Sequence, residues 1–346
     1  MKRDNAYKLV IILALIIILG AIGGSFAFGV QANFTSSAQS VTVMERSSGR
    51  VLYEKNSAAR LPMASTTKIV TALTVIKHCN LDDVVEIPRQ AVGVEGSSIY
   101  LREGEHLTVR ELLYGLMLRS GNDTAVALAL HASGSVEAFA ELMNDTAREV
   151  GCVNSHFVNP HGLHDDDHYT TAYDLALVTC KALENPEFRQ IVSTKTIRIH
   201  NEGYEYDRVL INKNKLLSNY ADADGVKTGY TKKAGRCFVG SATRNGMQVV
   251  AVVLNCGPMF EDTASLLDAA FAFYEYKTVI PSGKICGSVN RKGERVYYSC
   301  PVGFSYPVRD GERLATEIDL TDELQEIRVL LNGEKVFSRK LVEVAK

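Results

Sequence analysis

The spacing of apolar residues changes along this chain, and each change marks an element. Val41-Thr42-Val43-Met44 and Val51-Leu52-Tyr53, split by Ser47-Ser48-Gly49-Arg50, predict a β-hairpin. After Pro62, apolar residues recur at Ile69, Val70, Ala72, Leu73, Val75 and Ile76, a helical period. Thr108-Val109-Arg110-Glu111 has capping-box spacing and opens a helix predicted to run through Leu118. Further helices are predicted over residues 123–132, 136–150 and 171–183, with a loop at Asn159-Pro160-His161-Gly162-Leu163. Residues 237–243 and 247–255 read as apolar strands, and Asn245-Gly246 between them supplies the positive-φ pair of a tight hairpin. Residues 264–276 read as a last amphipathic helix. From Val279 onward the pattern turns to short strands punctuated by Gly283, Gly287, Gly293, Gly303 and Gly311. The expected architecture is α/β, of the α+β type: a main body over residues 33–278 and a small β-rich C-terminal domain over 279–346.

The first 32 residues stand apart. Residues 9–30 carry no charge over 22 positions, behind Lys2, Arg3 and Lys8. About 20 apolar residues span a bilayer as a helix. Val30-Gln31-Ala32 also has the small-x-small form of a signal cleavage site. A cleaved signal peptide and an uncleaved signal anchor both fit, and both place the rest of the chain outside the cytoplasm. Lys plus Arg number 38 and Asp plus Glu 40, a net charge of −2, which gives no support for nucleic-acid binding. The seven Cys are scattered without C-x-x-C spacing, so buried thiols are expected rather than a metal knuckle or redox pair.

Three short motifs carry the candidate chemistry. In Ser65-Thr66-Thr67-Lys68, spacing of three residues puts a hydroxyl and an amine on one face of a helix start. A serine hydroxyl needs a base to become a nucleophile, and a lysine kept neutral by desolvation or a nearby cation can be that base. The helix start also offers free N–H groups to a developing oxyanion. Ser120-Gly121-Asn122 lies between two predicted helices, where Ser120 could relay a proton and Asn122 could hold Lys68 and a substrate amide. Lys227-Thr228-Gly229, followed by Tyr230, reads as an edge strand whose Lys and Thr could bind a carboxylate and whose Gly lets a substrate backbone approach closely. Each motif alone fits a capped helix, a plain turn or an ordinary strand equally well.

Together and in this order they are specific. With Leu61-Pro62-Met63-Ala64 before Ser65, Glu95-Gly96-Ser97-Ser98, Leu118-Arg119-Ser120-Gly121-Asn122-Asp123, Asn159-Pro160-His161-Gly162-Leu163 and Gly225-Val226-Lys227-Thr228-Gly229, the chain resembles the low-molecular-mass penicillin-binding proteins that are serine-type D-alanyl-D-alanine carboxypeptidases, the peptidase S11 type. The resemblance covers roughly residues 38–278, and the C-terminal β module fits the same proteins. It implies a DD-peptidase/β-lactamase-like transpeptidase fold, an antiparallel sheet flanked by helices. It implies the D-Ala-D-Ala end of the peptidoglycan stem peptide as substrate, and β-lactams as ligands that acylate the same serine. It implies Ser65 as nucleophile, Lys68 as base and Ser120 as proton relay. Asn122 would hold the substrate amide, Lys227 and Thr228 the terminal carboxylate, and the N–H groups of Ser65 and Tyr230 the oxyanion. No cofactor is implied.

Two departures stand out. Where such carboxypeptidases carry an Arg seven residues before a Leu-Leu pair, this chain has Met259 before Leu266-Leu267. A Met cannot make the bidentate bond that Arg gives a carboxylate. Lys227 or Arg236 could compensate, or endopeptidase work on cross-links could be favoured. Residues 337–344 read as a strand rather than an amphipathic anchor helix, so any membrane anchoring would come from residues 9–30. A β-lactamase is disfavoured because no E-x-x-L-N follows the second motif. A penicillin-binding module without turnover has only Met259 in its favour. His161, His164, Asp165, Asp166, Asp167 and His168 mimic a metal cluster, but without H-E-x-x-H spacing they read as a polar loop.

Overall fold

The computed structural model describes residues 33–200, 205, 207–291, 293–321 and 324–344; the expected leader, residues 1–32, lies outside them. The hairpin read at Val41 and Val51 forms as β1 (Ser40–Glu45) and β2 (Val51–Lys55). Two small ribbons follow, β3 (Val84–Glu86) with β4 (His106–Thr108), and β5 (Thr196–Ile199) with β6 (Arg208–Ile211). Then come β7 (Ala223–Thr231), β8 (Gly235–Arg244) and β9 (Met247–Leu254). The main sheet has the order β2-β1-β9-β8-β7, every neighbour antiparallel. Lys227-Thr228-Gly229 therefore does sit on an edge strand, with Thr228 opposite Phe238.

The eight residues of β9 are all buried, because helices cover both faces of the sheet. Its side chains alternate between two cores. Val250, Val252 and Leu254 join the larger helical core, which includes Leu112, Leu128, Phe139 and Phe188. Val249, Ala251 and Val253 join the smaller one, capped by Leu266, Leu267 and Ala270. The helix carrying those caps runs Met259–Phe273, not 264–276. It opens after Pro258 with Glu261 and Asp262 in its first turn, where acids favour the helix dipole. It stops at Tyr274, in extended conformation, where the chain becomes the strand Glu275–Ile280. The pattern change read at Val279 falls inside that strand, which pairs with Phe304–Val308.

The capping box at Thr108 forms as read, with the Thr108 side chain accepting from the Glu111 backbone N–H. Its helix does not reach Leu118 unbroken: Val109–Tyr114 is α-helical and Gly115–Arg119 is one π-helical turn. That turn ends on Ser120 at φ 64°, so the second motif leaves the helix abruptly.

The C-terminal strands enclose a third core around Tyr298, Phe304, Ile327 and Val329. They are joined to the sheet through Arg50. Its guanidinium lies 5.1 Å from the Tyr274 ring centroid and 5.2 Å from that of Tyr306, forms a two-pronged pair with Glu312, and donates to the Pro307 carbonyl.

Candidate active site

Ser65 lies in a 3-10 turn, Ala64–Thr67, immediately before the helix Lys68–His78. Small polar residues build this turn. The Thr66 hydroxyl donates to the Met63 carbonyl at 2.7 Å and the Thr67 hydroxyl to the Ala64 carbonyl at 2.8 Å. Thr67 in turn lies 2.8 Å from Nε2 of buried His168, whose Nδ1 accepts from the Val158 N–H at 3.1 Å. Burial holds His168 neutral, its pKa lowered to about 4. The turn presses on the edge strand: a Cβ added to Gly229 would stand 3.0 Å from both the Ser65 and Thr66 nitrogens. The space a side chain would need at Gly229 is thus taken by the turn that carries Ser65.

Lys68 is fully buried. Its Nζ lies 3.0 Å from Ser65 Oγ, 2.7 Å from Asn122 Oδ1 and 2.6 Å from the His161 carbonyl oxygen. The Asn122 amide is oriented by its NH₂ group, which donates to the Glu95 carbonyl at 2.5 Å, so its oxygen faces the lysine. The His161 carbonyl is aimed by the loop 159–163, where Gly162 sits at φ 87° against the Ser65 turn. A Cβ on Gly162 would fall 2.0 Å from the Ala64 carbonyl oxygen. Gly162→Ala is therefore expected to cost about 2–4 kcal/mol of stability and to slow acylation of Ser65. Denaturant unfolding and a labelling time course check this; unchanged values in both would show that the loop is not held as described.

Burial is the largest cause driving the Lys68 pKa well below the usual lysine value, followed by the like charges of Lys227 and Lys213; Asp123 opposes them. A neutral amine has two N–H groups and one lone pair. The two carbonyl oxygens, of Asn122 and His161, take the N–H groups. The lone pair is left for the third neighbour, the Ser65 hydroxyl, which is the arrangement a general base requires.

Of the other expected residues, Lys227 is near enough to Lys68 to lower its pKa. Lys227 is buried, its pKa lowered to about 7 by burial and by Lys213, and its Nζ donates to the Thr228 carbonyl at 3.0 Å. Ser120 is buried, and its hydroxyl makes no hydrogen bond among the described residues. Ser65, Asn122, His161 and Tyr230 line a cleft of about 310 Å³ together with Gly96 and Ser97. Thr228 is partly buried and Tyr230 is exposed.

Sequence reasoning missed the His161 carbonyl, a backbone group that no side-chain motif announces. It also missed Asp123. This buried carboxylate accepts from the Ser98 hydroxyl and from the N–H groups of Ile99, Leu101 and Thr124, and so fixes the loop beside the cleft. The Asp that follows Ser120-Gly121-Asn122 was its only signal. His161 and His168, read as metal mimics, are engaged otherwise: the His161 ring accepts from the Leu163 N–H, and burial lowers its pKa to about 3.

Known proteins match this chain in sequence and in fold. Residues 27–257 match the Peptidase_S11 family, described as D-alanyl-D-alanine carboxypeptidase. The chain is 35% identical over 303 residues to D-alanyl-D-alanine carboxypeptidase DacF of Bacillus subtilis, covering 84% of this chain and 76% of that one. Penicillin binding protein 5 of Haemophilus influenzae superposes with a TM-score of 0.75 at 27% identity, over 89% of this chain and 97% of the other. The Streptomyces K15 DD-transpeptidase superposes with a TM-score of 0.65 at 35% identity, over 69% of this chain and 98% of the other. On that extent of match, the chain belongs to the Peptidase_S11 family of D-alanyl-D-alanine carboxypeptidases.

Proposed function

We propose that this serine DD-carboxypeptidase removes the terminal D-alanine of peptidoglycan stem peptides through an acyl-enzyme on Ser65, and that β-lactams acylate the same residue. The observation that carries this reading is the buried Lys68 amine, with two carbonyl acceptors and the Ser65 hydroxyl as its third neighbour. Lys68 takes the Ser65 proton as Oγ attacks the penultimate carbonyl carbon. The backbone N–H groups of Ser65 and Tyr230 receive the oxyanion, and Ser120 passes the proton to the departing D-alanine nitrogen. Water then cleaves the ester. Asn122 holds the substrate amide, and Lys227, Thr228 and the Gly229–Tyr230 backbone line the strand along which the peptide lies. Incubation with diacetyl-L-Lys-D-Ala-D-Ala tests the reading: D-alanine release supports it, whereas acylation by penicillin without peptide turnover would identify a binding module instead.

Residues 33–278 make the catalytic domain and 279–346 a β module. The enzyme acts outside the cytoplasm, at the cell wall. Support for export is the uncharged run 9–30 behind Lys2, Arg3 and Lys8, which would serve as a cleaved signal or as an anchor on the outer face of the membrane. Among the described residues no helix is long and apolar enough to cross a membrane.

Met259 opens the helix Met259–Phe273 and packs against the smaller core, while Arg236 donates to the carbonyl of Gly257 just before it. Met259→Arg is expected to raise kcat/KM for D-Ala-D-Ala peptides by about 1–2 kcal/mol in transition-state binding, the scale of a charge-assisted hydrogen bond. An equal change on a peptide amide would show that residue 259 does not reach the carboxylate.

A further inference from the structure

We infer that Lys213 is a further specificity-determining residue, binding the terminal carboxylate of the substrate beside Lys227 and Thr228. The inference rests on the reading that this end of the cleft receives that carboxylate.

Lys213 follows β6 and precedes the short helix Leu216–Asn219. Its backbone N–H donates to the Leu118 carbonyl at 3.1 Å, which ties it to the π-helical turn that presents Ser120. Its side chain is exposed, and Nζ donates to Ser97 Oγ at 3.0 Å. Ser97 lines the cleft with Ser65, and its carbonyl accepts from the Asn122 N–H at 2.7 Å. The Lys213 backbone is thus tied to the turn that presents Ser120, and its ammonium to a residue that lines the cleft. With Lys213 occupying one of its lone pairs, the Ser97 hydroxyl keeps its proton for an incoming acceptor.

The charge around this point is unbalanced. Lys213 is near enough to both Lys68 and Lys227 to depress their pKa values, and Arg119 acts in the same way on Lys213. Arg119 itself donates to the Ile211 carbonyl. The one acid that acts on Lys68, Asp123, is buried and already accepts four hydrogen bonds. Lys213 has no carboxylate partner among the described residues. Several converging cations without a counter-ion make a focused positive field that recruits an anion. The substrate brings one, its terminal carboxylate.

The test compares acylation of Ser65 by benzylpenicillin, which carries a carboxylate, with acylation by its methyl ester, which does not. Intact-mass spectrometry reads both rates. Lys213→Gln is expected to slow benzylpenicillin about ten-fold or more relative to the ester, the scale of one charge-assisted hydrogen bond, over and above any common slowing of both through Lys68. Lys213→Arg should keep most of the benzylpenicillin rate, and added salt should narrow the wild-type preference for the acid. Equal slowing of both compounds would overturn the inference, because it would show that Lys213 acts on Lys68 or on the loop instead. No change in either rate would overturn it as well. Labelling of the wild-type enzyme at Ser65 tests the proposed reaction; the ratio of the two rates tests Lys213, so the two can fail separately.

Discussion

Ser65→Ala is expected to abolish covalent labelling by penicillin and to lower D-alanine release by about 10⁵–10⁶-fold, the scale seen when a serine nucleophile is removed. The fold should survive. Among the described residues the Ser65 hydroxyl bonds only to Lys68 and, at 3.5 Å, to the His161 carbonyl, and Ser65 itself is not fully buried. The turn around it is held instead by Thr66 and Thr67. Stability should therefore change by no more than about 1 kcal/mol. Fluorescent penicillin on a gel, with thermal unfolding of the same sample, checks both halves. Labelling that persists in the variant would remove Ser65 as nucleophile.

Lys68→Arg is expected to cost about 10³-fold or more in acylation, the upper range of general-base catalysis. A guanidinium stays protonated at any working pH and has no lone pair to offer. The pH profile carries the sign. The lowered pKa of Lys68 means that the amine loses its proton well below the usual lysine range, so acylation rises with pH as Lys68 becomes neutral. Lys227 acts in the opposite direction. Its charge, lost around pH 7 in the free enzyme, favours carboxylate binding below that pH and ceases to do so above it. A bell-shaped kcat/KM for carboxylate peptides follows, and in kcat the alkaline limb lies higher because the bound carboxylate holds the Lys227 charge. A profile flat from acid to alkaline pH, or near wild-type acylation by Lys68→Arg, would show that another group takes the proton.

Much of this site was legible from residue order, because spacing along one element fixes what lies together. Ser65 and Lys68 are three residues apart at a helix start, and no tertiary information was needed to bring them within hydrogen-bond reach. Asn245-Gly246 likewise dictated the hairpin, since few residues accept positive φ at both positions. Groups recruited across the fold were not legible. The His161 carbonyl meets Lys68 over 93 residues of sequence, and Lys213 meets Ser97 over 116. Neither distance leaves a periodic trace. The π-helical turn at Gly115–Arg119 was also hidden, because one extra residue in a turn leaves apolar spacing nearly unchanged. The start of the last helix was read five residues late, since its first turn is set by Pro258 and by acids at the dipole rather than by apolar periodicity.

The joint at Arg50 has a mechanical consequence. A guanidinium between two aromatic rings, paired with Glu312 and bonded to a backbone carbonyl, cannot swivel without losing several contacts at once. Nearby, the Tyr274 hydroxyl donates to the Leu52 carbonyl, and Ser47 and Tyr276 share a proton bridge of 2.7 Å. All of these attach to the hairpin of β1 and β2. Tension applied to the C-terminal strands, as in a stretched wall, would therefore pass straight into that hairpin, and from β1 through β9 and β8 to the strand bearing Lys227. On these contacts the C-terminal strands would move together with the sheet rather than swing free of it.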